Sequence, residues 1–292
     1  MTDATPARIA ALDVLRAVRR GVLADRALER VLERLPARQR PWTQELVYGT
    51  LRLRGRLDHL LDRQVRRGIE SLEPDVLDVL RLGLYQLLEM HSVPAYAAVS
   101  QSVELARRVG GRGADRLVNG VLQALKRRMD AIGPPPFEDD PEAYLTSWGS
   151  HPAWLVRRWI ERYGADGARA LVEANNRRPE LFIRPVGLER EAALARLEQA
   201  GIEAEPVDPA PDAIRVAPPA GAEEALDAVP AVVQDPAAGL VARYAEPPTD
   251  ARVGDLCAAP GGKAVALAER ASYVVAADVS PQRMRRLEEN LA

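Results

Sequence analysis

Residues 255–263 read DLCAAPGGK, and this run decides the fold of the C-terminal part of the chain. An apolar approach, PTDARVGDL (248–256), leads into it, and AVALAER (264–270) leaves it with Val265, Leu267 and Ala268 at helical spacing. A second apolar run, SYVVAAD (272–278), ends at Asp278. A strand, a Pro-Gly-Gly turn, a helix and a strand closing on Asp form the first half of a nucleotide-cofactor site on a doubly wound sheet. Gly261 and Gly262 let the backbone approach a ligand, and a helix start offers unpaired N–H groups. Asp278, 16 residues beyond Gly262, stands where a carboxylate accepts bonds from ribose hydroxyls.

The turn is not G-x-G-x-x-G, which disfavours a nicotinamide dinucleotide. It is not a P-loop either, because no Gly stands five residues before Gly262 and Ala264 replaces the Ser or Thr that would hold magnesium. S-adenosylmethionine fits better, with ribose hydroxyls for Asp278 and no pyrophosphate to cradle. A strand–helix turn that needs small residues only for packing remains the alternative at this point.

The same residues carry a resemblance. DLCAAPGGK, with VVQDPAAGLVARY (232–244) before it and VVAADVSPQRMRRLEENL (274–291) after it, resembles the Sun family of RNA cytosine-C5 methyltransferases. HPAWLVRRWIERYG (151–164) and EANNRRPELFIRPV (173–186) resemble the middle segment of that family, and the first 128 residues its helical NusB-type domain. Family members usually carry Thr after the Lys, where this chain has Ala264.

The resemblance implies a multidomain protein. An all-α NusB-like RNA-binding domain is expected over 1–132. Linker helices and a small α/β RNA-facing subdomain are expected over 142–235. The N-terminal part of a class I, Rossmann-like methyltransferase fold is expected over 236–292. It implies S-adenosyl-L-methionine as cofactor, held by Cys257, Ala258, Ala259, Pro260, Gly261, Gly262, Lys263 and Asp278, and 16S ribosomal RNA of the small subunit as partner. Family enzymes add a thiolate to cytosine C6 from a Pro-Cys motif and use a second cysteine, in a Thr-Cys motif, to release the product. Cys257 is the one cysteine of the 292 residues and matches neither. A reactive thiol needs an accessible, electropositive setting with a base or acid partner. Cys257 is therefore expected to pack as a small residue under the turn. The nucleophile would lie beyond Ala292, the methyltransferase domain is expected to be truncated, and the 292 residues are expected to be inactive. The competing expectation is a non-catalytic RNA-binding or antitermination-type module with a vestigial cofactor half-site.

Composition agrees with a globular chain of two or three domains, at 47% hydrophobic and net charge −2. The charge is uneven: residues 1–130 hold 23 Lys and Arg against 16 Asp and Glu, and the rest 17 against 26. All basic residues except Lys126 and Lys263 are Arg, which suits bidentate phosphate contacts and base stacking. A GC-rich genome gives the same excess. One cysteine excludes an internal disulfide. His59, His91 and His151 are scattered without metal-ligand spacing, so no metal is expected. Without a signal sequence or a run of about 18 apolar residues, the expected compartment is the cytoplasm, with no membrane span.

Helical stripes run through Ile9, Leu12, Leu15, Val18 and Val22; through Val76, Leu80, Leu84, Leu87 and Leu88; and through Leu117, Val121, Leu122 and Leu125. All are expected to be core. LRLRGRLDHLLDRQVRR (51–67) interleaves arginines and His59 with leucines, either as the solvated face of a helix or as a surface for RNA. GPPPFEDDP (133–141) cannot continue a helix and marks a domain boundary. Helices are expected over 152–164 and 165–175, then a strand in ELFIRPV, a helix closed by Gly201, short strands in AIRVA and AVVQD, and loops over 206–219. Asp235 before Pro236 is expected to cap a helix.

Overall fold

The computed structural model describes residues 5–128 and 133–291; the end of the expected 1–132 domain and Ala292 lie outside them. The chain gathers into two compact units, Met1–Arg177 and Arg178–Ala292.

In the first unit, α1 (Pro6–Arg19), α2 (Ala24–Leu32), α3 (Arg40–Arg52), α4 (Arg54–Asp62), α5 (Pro74–Leu88), α6 (Ala95–Val109) and α7 (Ala114–Arg128) form a helical bundle. Helix α5 is its axis. Val76, Val79, Leu80, Leu82, Leu84 and Tyr85 are buried around its whole circumference, and α1, α3, α4, α6 and α7 pack against it. A helix apolar on every side must sit inside, and its neighbours need only one apolar stripe each. The expected stripes are core with one correction: Leu117 is exposed, and Val118 is fully buried in its place. The apolar face of α7 keeps Val121, Leu122 and Leu125 and is completed by Val118, with Leu117 at its margin. The buried charged groups are paired. The Arg81 guanidinium donates from Nε and Nη2 to both oxygens of Asp58 at 2.7 and 2.8 Å and from Nη1 to Asp78 at 2.8 Å. Arg19 bonds Asp78 from the other side and Asp75 at 2.5 Å, and Arg16 reaches Asp75 at 2.6 Å. The network ties α1, α4 and α5 together.

The proline-rich segment does not end this unit. After it come α8 (Pro141–Ser147), which no sequence pattern singled out, and α9 (Ala153–Asn176). Asp140 caps α8 by accepting from Ala143 N–H at 2.9 Å, with Pro141 at the first helical position. Helix α9 is interrupted at Gly164, whose φ of +73° is open to glycine at little cost, so the two expected helices 152–164 and 165–175 meet there. The α8–α9 turn docks on α4. Arg56 stacks over Trp148 at 4.9 Å, its backbone N–H reaches Ser150 Oγ at 2.8 Å, and its Nε donates to the Trp148 carbonyl at 3.0 Å. The expected 142–235 segment is thus divided between the two units.

The second unit opens with a four-stranded antiparallel sheet in the order β2-β3-β1-β4. Its strands are β1 (Leu181–Pro185), β2 (Ala204–Pro206), β3 (Ile214–Val216) and β4 (Ala231–Val233), with α10 (Arg190–Gln199) and α11 (Ala222–Ala228) between them. Ile183, Ile214 and Val216 bury one face against Ala193, Leu197 and Ala225. Strand β2 was not singled out in the sequence, and its last residue, Pro206, was expected in a loop. It lies at the sheet edge, where Pro206, opposite Ile214, is tolerated despite its missing N–H. There follow α12 (Pro236–Ala245), β5 (Arg252–Asp255), α13 (Gly262–Ala268), β6 (Tyr273–Ala276) and α14 (Pro281–Leu291). Strands β5 and β6 pair in parallel, Arg252 opposite Tyr273 through Asp255 opposite Ala276. Asp235 caps α12 by accepting from Ala237 N–H at 2.8 Å, as expected.

Candidate cofactor turn

The expected site residues come together at the carboxyl ends of β5 and β6. The ladder continues past both strands: Ala277 N–H donates to the Asp255 carbonyl at 2.8 Å, and Ala258 N–H to the Ala277 carbonyl at 2.9 Å. This places the turn beside the segment that carries Asp278. The chain then closes tightly, with Gly261 N–H on the Ala258 carbonyl at 2.7 Å, after a cis Ala259–Pro260 bond. Gly261 has φ +112°, a conformation that side-chain-bearing residues rarely adopt, and it precedes the first residue of α13.

Burial divides the turn. Ala258, Gly261 and Ala264 are buried; Ala259 and Gly262 are half-buried; Cys257, Pro260 and Lys263 are exposed. The expectation for Cys257 is corrected here, because its thiol is not packed under the turn. Its N–H donates to Asp255 Oδ1 at 3.2 Å, which turns the chain outward at that residue, and Ala258 takes the inner position. Helix α14 closes the turn from one side: Leu287 lies 3.5 Å from where a Gly261 Cβ would sit, and Asn290 Nδ2 donates to the Pro260 carbonyl at 2.7 Å. Asp278 is half-buried and accepts from Ser280 N–H at 2.9 Å, which orients its carboxylate just beyond β6.

Two parts of the site carried no signal in the sequence. Asp255 ends β5 with Oδ2 buried and without a hydrogen-bond partner. Arg184, in the middle of β1, is 4% exposed and donates to Gln234 Oε1 at 2.7 Å and Glu269 Oε2 at 2.7 Å. The alternation of β1 could have drawn attention to Arg184, since Ile183 faces the core and its neighbour must face the other side.

Elsewhere, the 51–67 segment proves mixed. Leu53, Leu57, Leu60, Leu61 and Val65 are core, Arg56 is spent on Trp148, and Arg54, Arg63, Arg66 and Arg67 are exposed. Burial, together with the charge of Arg63, holds the His59 imidazole below its ordinary value, so it adds no positive charge at neutral pH. Among the described residues no three His, Cys, Asp or Glu side chains gather as a metal site, and no helix is long and apolar enough to cross a membrane.

Comparison with known proteins finds two family matches, the second of which spans the junction of the two units. Residues 5–127 match the NusB family, and residues 151–223 match the RsmF/B-like methyltransferase ferredoxin-like domain. The chain is 35% identical over 230 residues to the probable ribosomal RNA small subunit methyltransferase B of Bacillus subtilis, covering 77% of this chain and 50% of that protein. It is 32% identical over 297 residues to ribosomal RNA small subunit methyltransferase B of Klebsiella pneumoniae, covering 97% and 65%. It therefore spans between half and two thirds of the length of these relatives. The crystal structure of PH0851 shares the fold at TM-score 0.68 and 21% identity, over 99% of this chain and 67% of that one. With both domains in this order and relatives at this identity along most of its length, the chain belongs to the ribosomal RNA small subunit methyltransferase B family.

Proposed function

We propose that the chain supplies the RNA-binding and cofactor-binding part of an S-adenosylmethionine-dependent methyltransferase acting on C5 of a cytosine in 16S ribosomal RNA. The observation that carries this reading is the parallel β5–α13–β6 unit, with a left-handed Gly261 turn at the ends of its strands and Asp278 just past β6. That arrangement suits the first half of a class I methyltransferase sheet, in which cofactors bind outside the carboxyl ends of the strands.

In this reading the Cys257–Lys263 turn receives the amino-acid end of the cofactor, where Gly261 and Gly262 admit it without side chains in the way. Asp278 accepts from the ribose hydroxyls. The NusB-like bundle, with exposed Arg54, Arg63, Arg66 and Arg67, supplies RNA contacts. Attack at cytosine C6 needs a thiolate, because C5 is a poor nucleophile until a group has added there. Cys257 sits in the cofactor turn and is not that thiol.

The test is calorimetric titration of the chain with S-adenosylhomocysteine. Binding is expected, and Asp278→Ala should weaken it by about 1–3 kcal/mol, the scale for leaving a partner's polar groups unpaired. Equal affinity in both proteins would remove Asp278 from the site, and no binding at all would refute the cofactor reading.

A further inference from the structure

From the packing around the turn, we infer that Arg184 and Gln234 are positioning residues that set its conformation. The inference rests on the cofactor reading above for its consequence, but its geometry stands apart from any ligand. Gln234 follows β4, and its backbone N–H is fixed by the Phe182 carbonyl of β1 at 3.1 Å. Its side chain lies flat on the turn: a Cβ at Gly262 would stand 3.1 Å from Gln234 Nε2 and 3.6 Å from its Cδ. A side chain at residue 262 would press on that amide and push it aside by a few tenths of an ångström. The Gln234 amide is thus a wall of the turn.

What holds the wall is Arg184. Its Nε donates to Gln234 Oε1 at 2.7 Å, which fixes the amide orientation and leaves Nε2 facing Gly262. Its Nη1 donates to Glu269 at 2.7 Å, the residue that follows the last turn of α13. One guanidinium therefore grips both the wall and the far end of the helix that the turn begins. The planar guanidinium is pre-organised to donate these two bonds from separate nitrogens, a fork that the single ammonium of Lys does not offer. Its Nη2 is buried without a partner, and Arg184 also helps line a small cavity with Pro236, Gly239 and Leu240. That cavity, about 10 Å³, admits one water and no substrate group, so Arg184 acts through Gln234 and not by touching a ligand.

Bulk and hydrogen bonding can be separated at residue 234. Gln234→Met keeps the volume over Gly262 and loses the acceptor for Arg184, whereas Gln234→Glu keeps both. Cys257, exposed in the turn and the one cysteine of the chain, can carry a trifluoromethyl label whose fluorine resonance reports turn conformation. The label resonance of Gln234→Glu should match that of the unmutated chain, and those of Gln234→Met and Arg184→Met should be displaced or split. In unlabelled protein the last two should bind S-adenosylhomocysteine roughly tenfold more weakly, with Gln234→Glu restored. Unchanged resonances in Gln234→Met and Arg184→Met would overturn the inference, and so would an equal displacement in all three variants. Should the unmutated chain not bind S-adenosylhomocysteine, the cofactor reading fails, and the label spectra still decide whether these two residues set the turn.

Discussion

Gly49 lies inside α3, where replacing Gly by Ala ordinarily stabilises a helix by about 1 kcal/mol. The tertiary structure reverses that sign. A Cβ on Gly49 would fall 1.9 Å from both Cζ and Oη of Tyr85, against the 3.5–4.0 Å at which carbon atoms pack comfortably. Tyr85 is 2% exposed on the central helix, and its hydroxyl donates to Glu45, so the ring cannot step aside without breaking that bond and disturbing the core. Overpacking of this kind costs about 1–3 kcal/mol, and a lost hydrogen bond to a charged group about 1.5–3 kcal/mol. Subtracting the propensity gain leaves Gly49→Ala destabilised by roughly 1.5–5 kcal/mol. Urea unfolding followed by far-ultraviolet circular dichroism measures it. The double variant Gly49→Ala/Tyr85→Leu should be less destabilised than the sum of its two single changes, because the clash is shared. A Gly49→Ala chain as stable as the original, or more so, would refute the close approach of α3 to α5.

Arg81→Met should destabilise the helical unit by about 3 kcal/mol in the same measurement, since it removes both close bonds to the half-buried Asp58 carboxylate and leaves the buried Asp78 to Arg19 alone; a loss under about 1 kcal/mol would show that the network is dispensable. Asp75 is held below its ordinary value of 3.8 chiefly by the hydrogen bond from Arg16, with Arg19 adding to it. A lowered folded value means that its stabilisation is present above 3.8 and lost as pH falls through the folded value. Asp75→Asn should therefore flatten the acid limb of the stability curve below pH 4 or so, and an unchanged acid limb would argue against the pairing. Tritiated methyl transfer to undermethylated small-subunit RNA should show no incorporation with these 292 residues, whether or not Cys257 is changed to Ala. Incorporation that disappears in Cys257→Ala would give that exposed thiol a role the present reading denies it.

Much of the local structure was legible because its causes are local. Asp235 and Pro236 start α12 through one side-chain bond and one fixed dihedral, both written in adjacent residues. Gly164 divides α9 and Gly261 makes the turn before α13 because each adopts a backbone conformation that side chains disfavour. The stripes of α1 and α5 found the core because burial on a helix repeats with its turn. The likeness of DLCAAPGGK to one family pointed to the cofactor unit, and β5 and β6 pair in parallel around it.

What only the tertiary structure decided depends on residues far apart in the chain. The prolines of 133–141 read as a boundary, yet the first unit continues through α8 and α9, because Trp148 and Ser150 find Arg56 some ninety residues earlier. Leu117 and Val118 are apolar neighbours in sequence, and the packing of α7 on α5 and α6 buried Val118 and left Leu117 exposed. Cys257 looked small enough to bury, but Ala258, whose N–H is held by the Ala277 carbonyl nineteen residues on, takes the inner position and leaves Cys257 exposed. Arg184 read as one charged residue in a short strand. It is buried because Gln234 and Glu269, 50 and 85 residues away, supply the acceptors that offset its desolvation. A sequence pattern records what each residue prefers with its neighbours, whereas pairing across such distances is set by how the sheet and helices pack, which no local pattern encodes.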